Sequence, residues 1–254
     1  MEPLNETIKH QLAHRTIREF KEQKISEDIL KTLIEVARRT ATSTGMQASS
    51  IIRVTESNIK KEISKVCKQE YVASAPELWI FIVDQFRNWN IAKEKNCFED
   101  SIRTMDQFFA SFTDACITAQ NVVNAAESLG LGTVYLGSIL NDAERICEIL
   151  KLPELTFPVI GLGIGYPNQE PQLKPRMDMK YRLFENEYVA FENYLEELKD
   201  YDEEMTTYYD LREANRRSDC FTDQVVRRLQ NPIPKRQEIL KIVKKQGFDL
   251  KVDE

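Results

Sequence analysis

The residue pattern best suited to chemistry in this 254-residue sequence is the basic segment from His14 to Arg18, which we call the anion clamp. Arg15 and Arg18 carry planar guanidinium groups that can bond phosphate bidentately, and Thr16 adds a short hydroxyl donor. Short basic clusters also occur as surface charge paired with acidic neighbours, and this segment alone leaves that alternative open. The pattern indicates a site for a phosphate-bearing ligand.

Two further basic groups lie in the second half of the chain. Lys174 and Arg176 flank a proline in an irregular loop, where a pair of cations either forms a solvated turn or stabilises negative charge on a ligand. Arg216 and Arg217 stand in an acidic region, with Arg212 one helical turn earlier. A basic helix face of this kind is usually exposed to solvent. Because these arginines are isolated among acidic residues, binding of a phosphate-bearing partner is the alternative interpretation.

Three alternating glycines, Gly161, Gly163 and Gly165, invite comparison with the dinucleotide-binding fingerprint. That fingerprint requires a strand, then a glycine turn, then a helix. Here the glycines lie within or at the end of an apolar strand, and Pro167 follows them without a helix. We therefore reject a dinucleotide fold and expect these glycines to admit a closely packed neighbour.

Composition and charge narrow the classes of protein to consider. Hydrophobic residues make up 42% of the chain and charged residues 30%, which suits a domain with a sizeable core and a well-solvated surface. The formal net charge of -6 disfavours nucleic-acid binding, and no window is long and apolar enough to predict a membrane span or a signal core. These features predict a cytoplasmic protein whose partners include neither nucleic acid nor membrane.

The cysteines and histidines limit the possible chemistry. The five cysteines are odd in number and include no C-x-x-C pair, which argues against a disulfide framework and a structural zinc site. Only two histidines occur, so a histidine metal centre is nearly excluded and His14 is the candidate base for any nucleophile. We expect no metal, and we expect a bound cofactor to carry any difficult chemistry.

The elements that must position these groups follow from hydrophobic periodicity. Ser26 is predicted to cap a helix, and the apolar run from Leu78 to Val83 predicts a strand buried on both faces. An apolar stripe predicts a long core or interface helix over about residues 101–129, ended by Gly130. This mixture of helices and strands indicates an α+β fold with a central sheet.

The later part of the chain is predicted to change in character. Tyr135 to Ser138 is predicted to form a tight connection, and Phe157 to Ile164 the last clear strand. After about residue 180 the composition turns acidic and strands disappear. We therefore predict a core over residues 1–180 and a helical extension, packed on that core, over residues 181–254.

Taken in order, the motifs of this chain resemble those of the FMN-dependent nitroreductase family. The similarity is to the branch of NADPH-preferring flavin reductases and oxygen-insensitive nitroreductases. The motifs are short, but their order and spacing together are specific, and they cover nearly the whole chain. They are His14 to Arg18, the hydroxyl loop Ala41-Thr42-Ser43-Thr44 with Gln47 and Ser49-Ser50, Gln69, Ala125 to Gly132, Tyr135 to Ser138, Leu152-Pro153, Gly161 to Gly165, Leu173 to Arg176, Tyr208-Tyr209 and Arg216-Arg217.

The resemblance implies a nitroreductase-like three-layer fold, in which helices flank a central, mostly antiparallel sheet and a helical C-terminal extension follows. It also implies an intertwined homodimer with two FMN sites at the interface. The implied FMN contacts are His14, Arg15, Thr16 and Arg18 at the phosphate and ribityl chain, Thr42, Ser43, Thr44 and Gln47 supplied across the interface, Gln69 at the ring, Tyr135, Leu136, Gly137 and Ser138 beside the isoalloxazine, and Lys174 and Arg176 near the ring or phosphate.

The implied reaction is a ping-pong, two-electron transfer through FMN. NADPH is the implied donor, with NADH possible, and Arg212, Arg216 and Arg217 are the implied contacts of the NADPH 2′-phosphate. The implied acceptor is a nitroaromatic, a quinone or a flavin. Because the cofactor carries the chemistry, no catalytic acid or base side chain is required. The alternatives are a flavin-binding sensor or carrier without turnover, and a helical interaction protein whose basic clusters are surface features.

Two departures from the family pattern bear on the site. Gly45 and Met46 stand in the hydroxyl loop, where the family more often has serine and an aromatic residue. Ser138 stands where this branch often has a second glycine. The first departure is expected to affect the fit of the acceptor more than the binding of FMN.

Overall fold

The computed structural model describes residues 4–212 and 219–251, without the side chains of residues 210–212. Its contacts divide the chain into two compact units. The first unit comprises Met1–Pro171 together with Ile233–Glu254, and the second comprises Gln172–Pro232. The first unit contains the sheet, and the regular elements described for the second are helical.

Four strands of the described chain form one antiparallel sheet in the order β1-β2-β4-β3. The predicted α+β architecture, a central sheet flanked by helices, is confirmed. The strands are β1 (Ser49–Arg53), β2 (Glu77–Asp84), β3 (Gly132–Leu136) and β4 (Thr156–Gly165). The helices are α1 (Glu6–Leu12), α2 (Glu27–Arg38), α3 (Ser57–Cys67), α4 (Tyr71–Ser74), α5 (Gln85–Glu94), α6 (Met105–Ser128), α7 (Ala143–Ile149), α8 (Tyr194–Glu197), α9 (Lys199–Arg212), α10 (Phe221–Gln230), α11 (Pro234–Gln237) and α12 (Ile239–Lys245).

Strand β2 is the centre of the first unit, and both of its faces are buried as predicted. Its odd-numbered side chains from Trp79 to Val83 join a core built with residues of α2 and α6. Its even-numbered side chains from Leu78 to Ile82 join a second core with residues of α3 and α7. Because successive side chains of a strand point to opposite faces, this single strand supports the helices on both sides of the sheet.

Two predicted helix boundaries, at Ser26 and Gly130, coincide with capping hydrogen bonds in the structure. The Ser26 side chain accepts the N–H of Ile29 at the start of α2. After α6, Gly130 adopts a left-handed φ of 76°, and its N–H donates to Glu127 O at 3.0 Å. The next N–H, of Leu131, reaches back to Ala126 O at 3.0 Å. This pair of bonds is the Schellman arrangement, so glycine ends the long helix as the sequence predicts.

Tyr135 and Leu136 belong to strand β3, so their predicted placement in a tight connection is wrong. The run is only five residues long and begins with Gly132, which gives it the local pattern of a turn. The strand forms because β4 supplies its partner, with Gly132 opposite Gly165 and Leu136 opposite Gly161. The connection itself is a 3-10 turn that begins at the residue after β3.

The last described residues of the chain complete the core of the first unit. The Leu155 N–H donates to Gln246 O at 2.6 Å, and Gln246 Nε2 donates to Thr156 O at 2.8 Å. The Phe248 side chain is 2% exposed, and its ring centroid lies 5.0 Å from that of Phe108 in an edge-to-face pair. The segment after α12 is therefore an integral part of the packing around α6 and β4.

Candidate functional site

The anion clamp runs beside the outer edge of β3. The Ile17 N–H donates to Thr133 O at 2.9 Å, and Thr16 lies opposite Thr133 in a parallel bridge. The buried Ile17 side chain packs on Gly132, where an added Cβ atom would lie 2.6 Å from Ile17 Cγ1. The clamp can lie this close to the sheet only because β3 begins with a glycine.

The far end of the clamp is fixed by residues at and after the end of β4. The backbone N–H groups of Arg18 and Glu19 both donate to Gln169 Oε1, at 2.6 and 3.3 Å. The Phe20 ring packs over Gly165, where an added Cβ atom would lie 2.8 Å from Phe20 Cδ1. The close approach expected at the glycine-rich strand is therefore made, at Gly165, by Phe20 just after the clamp and by Pro76.

His14 is held by an acidic residue from the last turn of α6. Its Nδ1 lies 2.7 Å from Glu127 Oε1, and the same oxygen accepts the hydroxyl of Thr133 at 2.7 Å. A carboxylate accepts here, so the ring donates from Nδ1. The other ring nitrogen, Nε2, has no protein partner in residues 4–212 and 219–251, which leaves it for a ligand.

Arg15 carries a buried donor that has no acceptor. Its Nη1 donates to Ala13 O at 3.0 Å, whereas its Nε is buried without a hydrogen-bond partner in the described part of the chain. Arg15 lines a cleft of about 600 Å³ together with Lys21 and the loop that follows β4. An unpaired buried donor costs about 1–3 kcal/mol. An anion that accepts this hydrogen bond would remove the cost, so the geometry suits an anionic ligand.

Two residues in the short segment after α3, Tyr71 and Gln69, contact the clamp and the turn after β3, respectively. The Tyr71 hydroxyl contacts the Arg18 guanidinium, and Ser138 Oγ donates to Gln69 Oε1 at 2.7 Å. Burial raises the pKa of Tyr71, although Arg18 opposes the shift, so this phenol is protonated at neutral pH. The structure thus links Arg18, Gln69 and Ser138, which the sequence analysis assigned to one site.

One side of the turn at Gly137 faces open space, and Arg236 binds the turn through hydrogen bonds. A Cβ atom added there would meet nothing within 4 Å, so a planar group has room against this backbone. Arg236, from α11, donates through Nη1 to Gly137 O at 2.8 Å and to Asn141 Oδ1 at 3.4 Å. The sequence analysis missed Arg236, because no local pattern links it to a turn 99 residues earlier.

The two β3 residues assigned to the site differ in what they can offer a ligand. Tyr135 is partly buried, and its hydroxyl donates to Gln120 Oε1 at 3.0 Å. Burial raises the pKa of Tyr135, and the nearby Glu127 carboxylate adds to the shift, so it is a neutral phenol. Leu136 is 1% exposed, and its side chain packs in the core. Only the backbone of Leu136 is therefore available to a ligand.

The hydroxyl loop lines a different cavity from the clamp. The Ser43 N–H donates to the buried Asp114 Oδ1 at 2.8 Å. Thr44 and Gln47 adopt left-handed φ values of 47° and 48°, which non-glycine residues seldom occupy. Thr42 and Gln47 line a cavity of about 440 Å³ that no clamp residue lines. Of these two cavities in the described residues, the loop therefore lines one and the clamp lines the other.

Lys174 and Arg176 belong to the second unit and are exposed. Arg176 Nη1 donates to the carbonyl oxygens of Lys174 and Pro175, at 3.1 and 3.2 Å. Lys174 Nζ lies 5.8 Å from the centroid of the Tyr209 ring, within the range of a cation–π contact. The loop therefore presents two cations, one of which folds back on its own backbone.

The three arginines assigned to the NADPH phosphate lie at or beyond the end of α9. Arg212 is the last residue of that helix, and its side chain is outside the description. Arg216 and Arg217 lie outside the described residues. Their assignment remains a prediction from the sequence.

Two classes of site receive no support in the described part of the chain. Residues 4–212 and 219–251 contain no group of three or more His, Cys, Asp or Glu side chains placed to hold a metal ion. Among the same residues, no helix has the length and apolar character needed to cross a membrane.

Comparison with known proteins identifies the family. The model of the nitroreductase family matches residues 12–166. The chain belongs to the nitroreductase family. The model of the family's C-terminal domain matches residues 174–251, so nitroreductase sequence features extend through both units. The resemblance seen in the sequence is confirmed, and with it the class of oxidoreductases.

Known nitroreductase-family proteins match along the full length of the chain. It is 35% identical over 246 residues to the oxygen-insensitive NADPH nitroreductase of Salmonella typhimurium, covering 96% of this chain and 99% of that protein. The structure of B. megaterium NfrA2 superposes with a TM-score of 0.91 at 30% identity, covering 98% and 100% of the two chains. The NADPH:FMN oxidoreductase from Vibrio harveyi, solved in complex with NAD+, gives a TM-score of 0.86 at 31% identity, covering 97% and 100%.

Within this nitroreductase fold, the first unit contains a series of polar groups that neighbour one another in turn. It runs from the clamp, through Tyr71 and Gln69, to the turn at Gly137 and Ser138. At the clamp, a ligand would meet cationic and hydroxyl groups. At the turn, it would meet the exposed backbone of Gly137 and the side-chain amide of Gln69. An elongated ligand with an anionic end and a planar polar end would match this order.

Proposed function

We propose that this protein is an FMN-dependent NAD(P)H oxidoreductase that reduces nitroaromatics, quinones or flavins by two-electron, ping-pong transfer. The observation that carries the proposal is the buried, unpaired Nε of Arg15 in a clamp whose Arg18 contacts Tyr71, two residues after the Gln69 that binds Ser138. FMN has a phosphate at one end and a planar polar ring at the other, which is the order of groups along this site. Two relatives support this choice, since the Salmonella typhimurium protein is an NADPH nitroreductase and the Vibrio harveyi protein is an NADPH:FMN oxidoreductase.

The phosphate end of FMN would be held by His14, Arg15, Thr16 and Arg18. Arg15 contributes its unpaired Nε–H to the phosphate, and His14 contributes Nε2, which can accept a hydroxyl of the ribityl chain because the Nδ1 proton is donated to Glu127. Guanidinium–phosphate bonds are charge-assisted and roughly twice as strong as neutral ones, so these residues would supply most of the affinity. The family resemblance also assigns Lys174 and Arg176 to FMN.

The ring end of FMN would lie against the turn that follows β3. The open space at Gly137 admits a planar ring, and Gln69, Tyr135, Leu136 and Ser138 would surround it through side chains or backbone. FMN supplies two-electron redox chemistry when it is bound. The chain's own residues bind and orient the cofactor and exclude water, so no side chain is assigned as a catalytic acid or base.

The partner subunit of a homodimer would supply the hydroxyl loop, Thr42, Ser43, Thr44 and Gln47, to each site. The loop lines a cavity separate from the clamp within one chain, which is the arrangement expected if it serves a second copy. NADPH would be the preferred donor, with its 2′-phosphate bound by Arg212, Arg216 and Arg217.

The clamp is tested by replacing Arg15 and Arg18 with alanine together. The purified wild-type protein should show a flavin absorbance band, or regain it with added FMN, and should oxidise NADPH when an acceptor is present. The double variant should lose FMN binding by at least about 100-fold, because two charge-assisted hydrogen bonds contribute about 1.5–3 kcal/mol each. Arg145→Ala is the matched control, since Arg145 pairs with Glu62 and Glu148 on the surface.

The outcomes of this experiment separate the candidate functions. Wild-type protein that never binds FMN would refute the proposal. Protein that binds FMN but oxidises neither nicotinamide would be a flavin sensor or carrier. In the active enzyme, alanine at both Arg216 and Arg217 should raise the KM for NADPH more than the KM for NADH, and equal effects would remove their assigned role.

A further inference from the structure

Ser138 connects the turn after β3 to the side chain of Gln69. The Ser138 hydroxyl donates to Gln69 Oε1 at 2.7 Å, and both residues are half-buried. The backbone of Gln69 is already fixed, because its N–H donates to Ser64 O at 3.2 Å and its carbonyl accepts the Ser64 hydroxyl at 3.1 Å. The orientation of the terminal amide is therefore the main freedom left to Gln69.

Cys67 lies beside this hydrogen bond and offers Ser138 a second neighbour. Its side chain is 3% exposed and contacts the Ser138 hydroxyl. Burial raises the pKa of the Cys67 thiol, so the sulfur keeps its proton and can donate to Ser138 Oγ. The Ser138 proton is then free to point to Gln69, which requires the oxygen of the amide on that side.

The other end of the Gln69 amide faces no protein acceptor. In residues 4–212 and 219–251, Gln69 Oε1 is bonded to Ser138, whereas Nε2 has no hydrogen-bond partner. The two ends of a primary amide have nearly the same shape but opposite polarity, and the terminal torsion of glutamine is broad and two-fold. Without Ser138, either end could therefore face a ligand.

We infer that Ser138 is a positioning residue that holds the Gln69 amide with its Nε2 as a fixed donor toward the flavin ring. This inference rests on the proposed FMN-dependent function. A fixed N–H donor stabilises negative charge that develops on the polar edge of the ring, and it therefore favours the reduced cofactor over the oxidised one. Ser138 would thus tune the midpoint potential as well as the affinity for FMN.

The test replaces Ser138 and measures two properties of the bound cofactor. Ser138→Ala and Ser138→Gly should each raise the FMN Kd of the apoprotein about 2- to 10-fold, which is the range for one net hydrogen bond. Both should lower the two-electron midpoint potential by up to about 30 mV, the equivalent of a tenfold change in relative affinity for the two redox states. Ser138→Thr keeps the hydroxyl and should restore both values.

A double-mutant cycle with Gln69 separates positioning from a general structural effect. Gln69→Ala should itself lower the potential, and Ser138→Ala in that background should change it no further. Ser128→Ala is the matched control, because Ser128 donates to its own helix at Ala125 O and is exposed. It should leave both the Kd and the potential at wild-type values.

The inference is overturned if Ser138→Ala and Ser138→Gly keep the wild-type potential, or if Ser138→Ala has the same effect with and without Gln69. That result, in a wild-type protein that binds FMN and is reduced by NADPH, would leave the proposed function standing. Failure of the wild-type apoprotein to bind FMN would instead refute the proposed function, and this inference with it.

Discussion

Gly132→Ala should displace the anion clamp from the sheet. An added Cβ would lie 2.6, 2.8 and 2.9 Å from three side-chain atoms of Ile17, whereas ordinary contacts begin near 3.4 Å. Ile17 would have to retreat by about 0.8 Å to relieve the closest contact. Its N–H bond to Thr133 O, now 2.9 Å, would then stretch to about 3.7 Å, beyond hydrogen-bonding range.

The expected loss combines two effects of that displacement. Overpacking of a close contact costs about 1–3 kcal/mol, and the lost hydrogen bond contributes about 0.5–1.5 kcal/mol. Together they predict a free energy of unfolding about 1.5–4.5 kcal/mol lower than wild type, measured by urea titration of the apoprotein. Because Ile17 lies between the two clamp arginines, FMN should also bind at least about tenfold more weakly, measured by quenching of flavin fluorescence.

Two companion variants make this reasoning refutable. Gly137→Ala adds the same methyl group where nothing lies within 4 Å, and it should change stability by no more than about 0.5 kcal/mol. Ile17→Ala in the Gly132→Ala background removes two of the three close atoms and should restore part of the FMN affinity. If Gly132→Ala unfolds and binds FMN like wild type, the close approach of Ile17 does not position the clamp.

Two further predictions concern stability. Phe248→Ala should lower the free energy of unfolding by about 3–5 kcal/mol, because it removes a buried ring that packs on Phe108; a loss below 1 kcal/mol in urea titration would contradict this role. Burial alone would raise the pKa of Glu77, but hydrogen bonds from Arg53 and Trp79 outweigh it and lower the pKa below its ordinary value. A carboxylate whose pKa is lower in the folded protein stabilises the fold at pH values above its ordinary pKa. This contribution is lost as the pH falls from the ordinary pKa through the lowered pKa of the folded protein. Glu77→Ala should therefore cost about 1–3 kcal/mol at pH 7, because it removes the ion pair with Arg53 and strands the buried Trp79 N–H. The ion pair requires the carboxylate charge, so the gap to wild type should narrow with acidification in pH-dependent urea melts. A gap that is constant with pH would exclude the charge of Glu77 as a source of the effect.

The elements predicted well are those whose signal is local. Ser26 caps its helix through its own hydroxyl, Gly130 ends α6 through its left-handed backbone, and the run from Leu78 to Val83 is apolar enough to require burial on both faces. The clamp was visible for the same reason, since its cations are adjacent in the sequence. Family resemblance then placed these motifs in one order, and the comparisons confirm that family.

The features that were missed depend on residues distant in the sequence. β3 carries a turn-like pattern and becomes a strand only because the glycines of β4 lie opposite it. Gln169 binds the clamp backbone and Arg236 binds the turn at Gly137, and neither shows a local pattern that indicates its partner. Such contacts are decided by tertiary packing, which sequence periodicity does not record.

The chain returns to its first unit only at Ile233, which affects when that unit can complete its folding during synthesis. Ile233–Glu254 belongs to the same unit as Met1–Pro171, and Gln246 and Phe248 close the packing around α6 and β4. These residues leave the ribosome after the whole of Gln172–Pro232. At ordinary elongation rates of about 5–20 residues per second, the nascent core waits on the order of ten seconds with that apolar surface uncovered. Folding of the first unit is therefore completed only after Gln246 and Phe248 have emerged, and in that interval the chain most needs protection from aggregation.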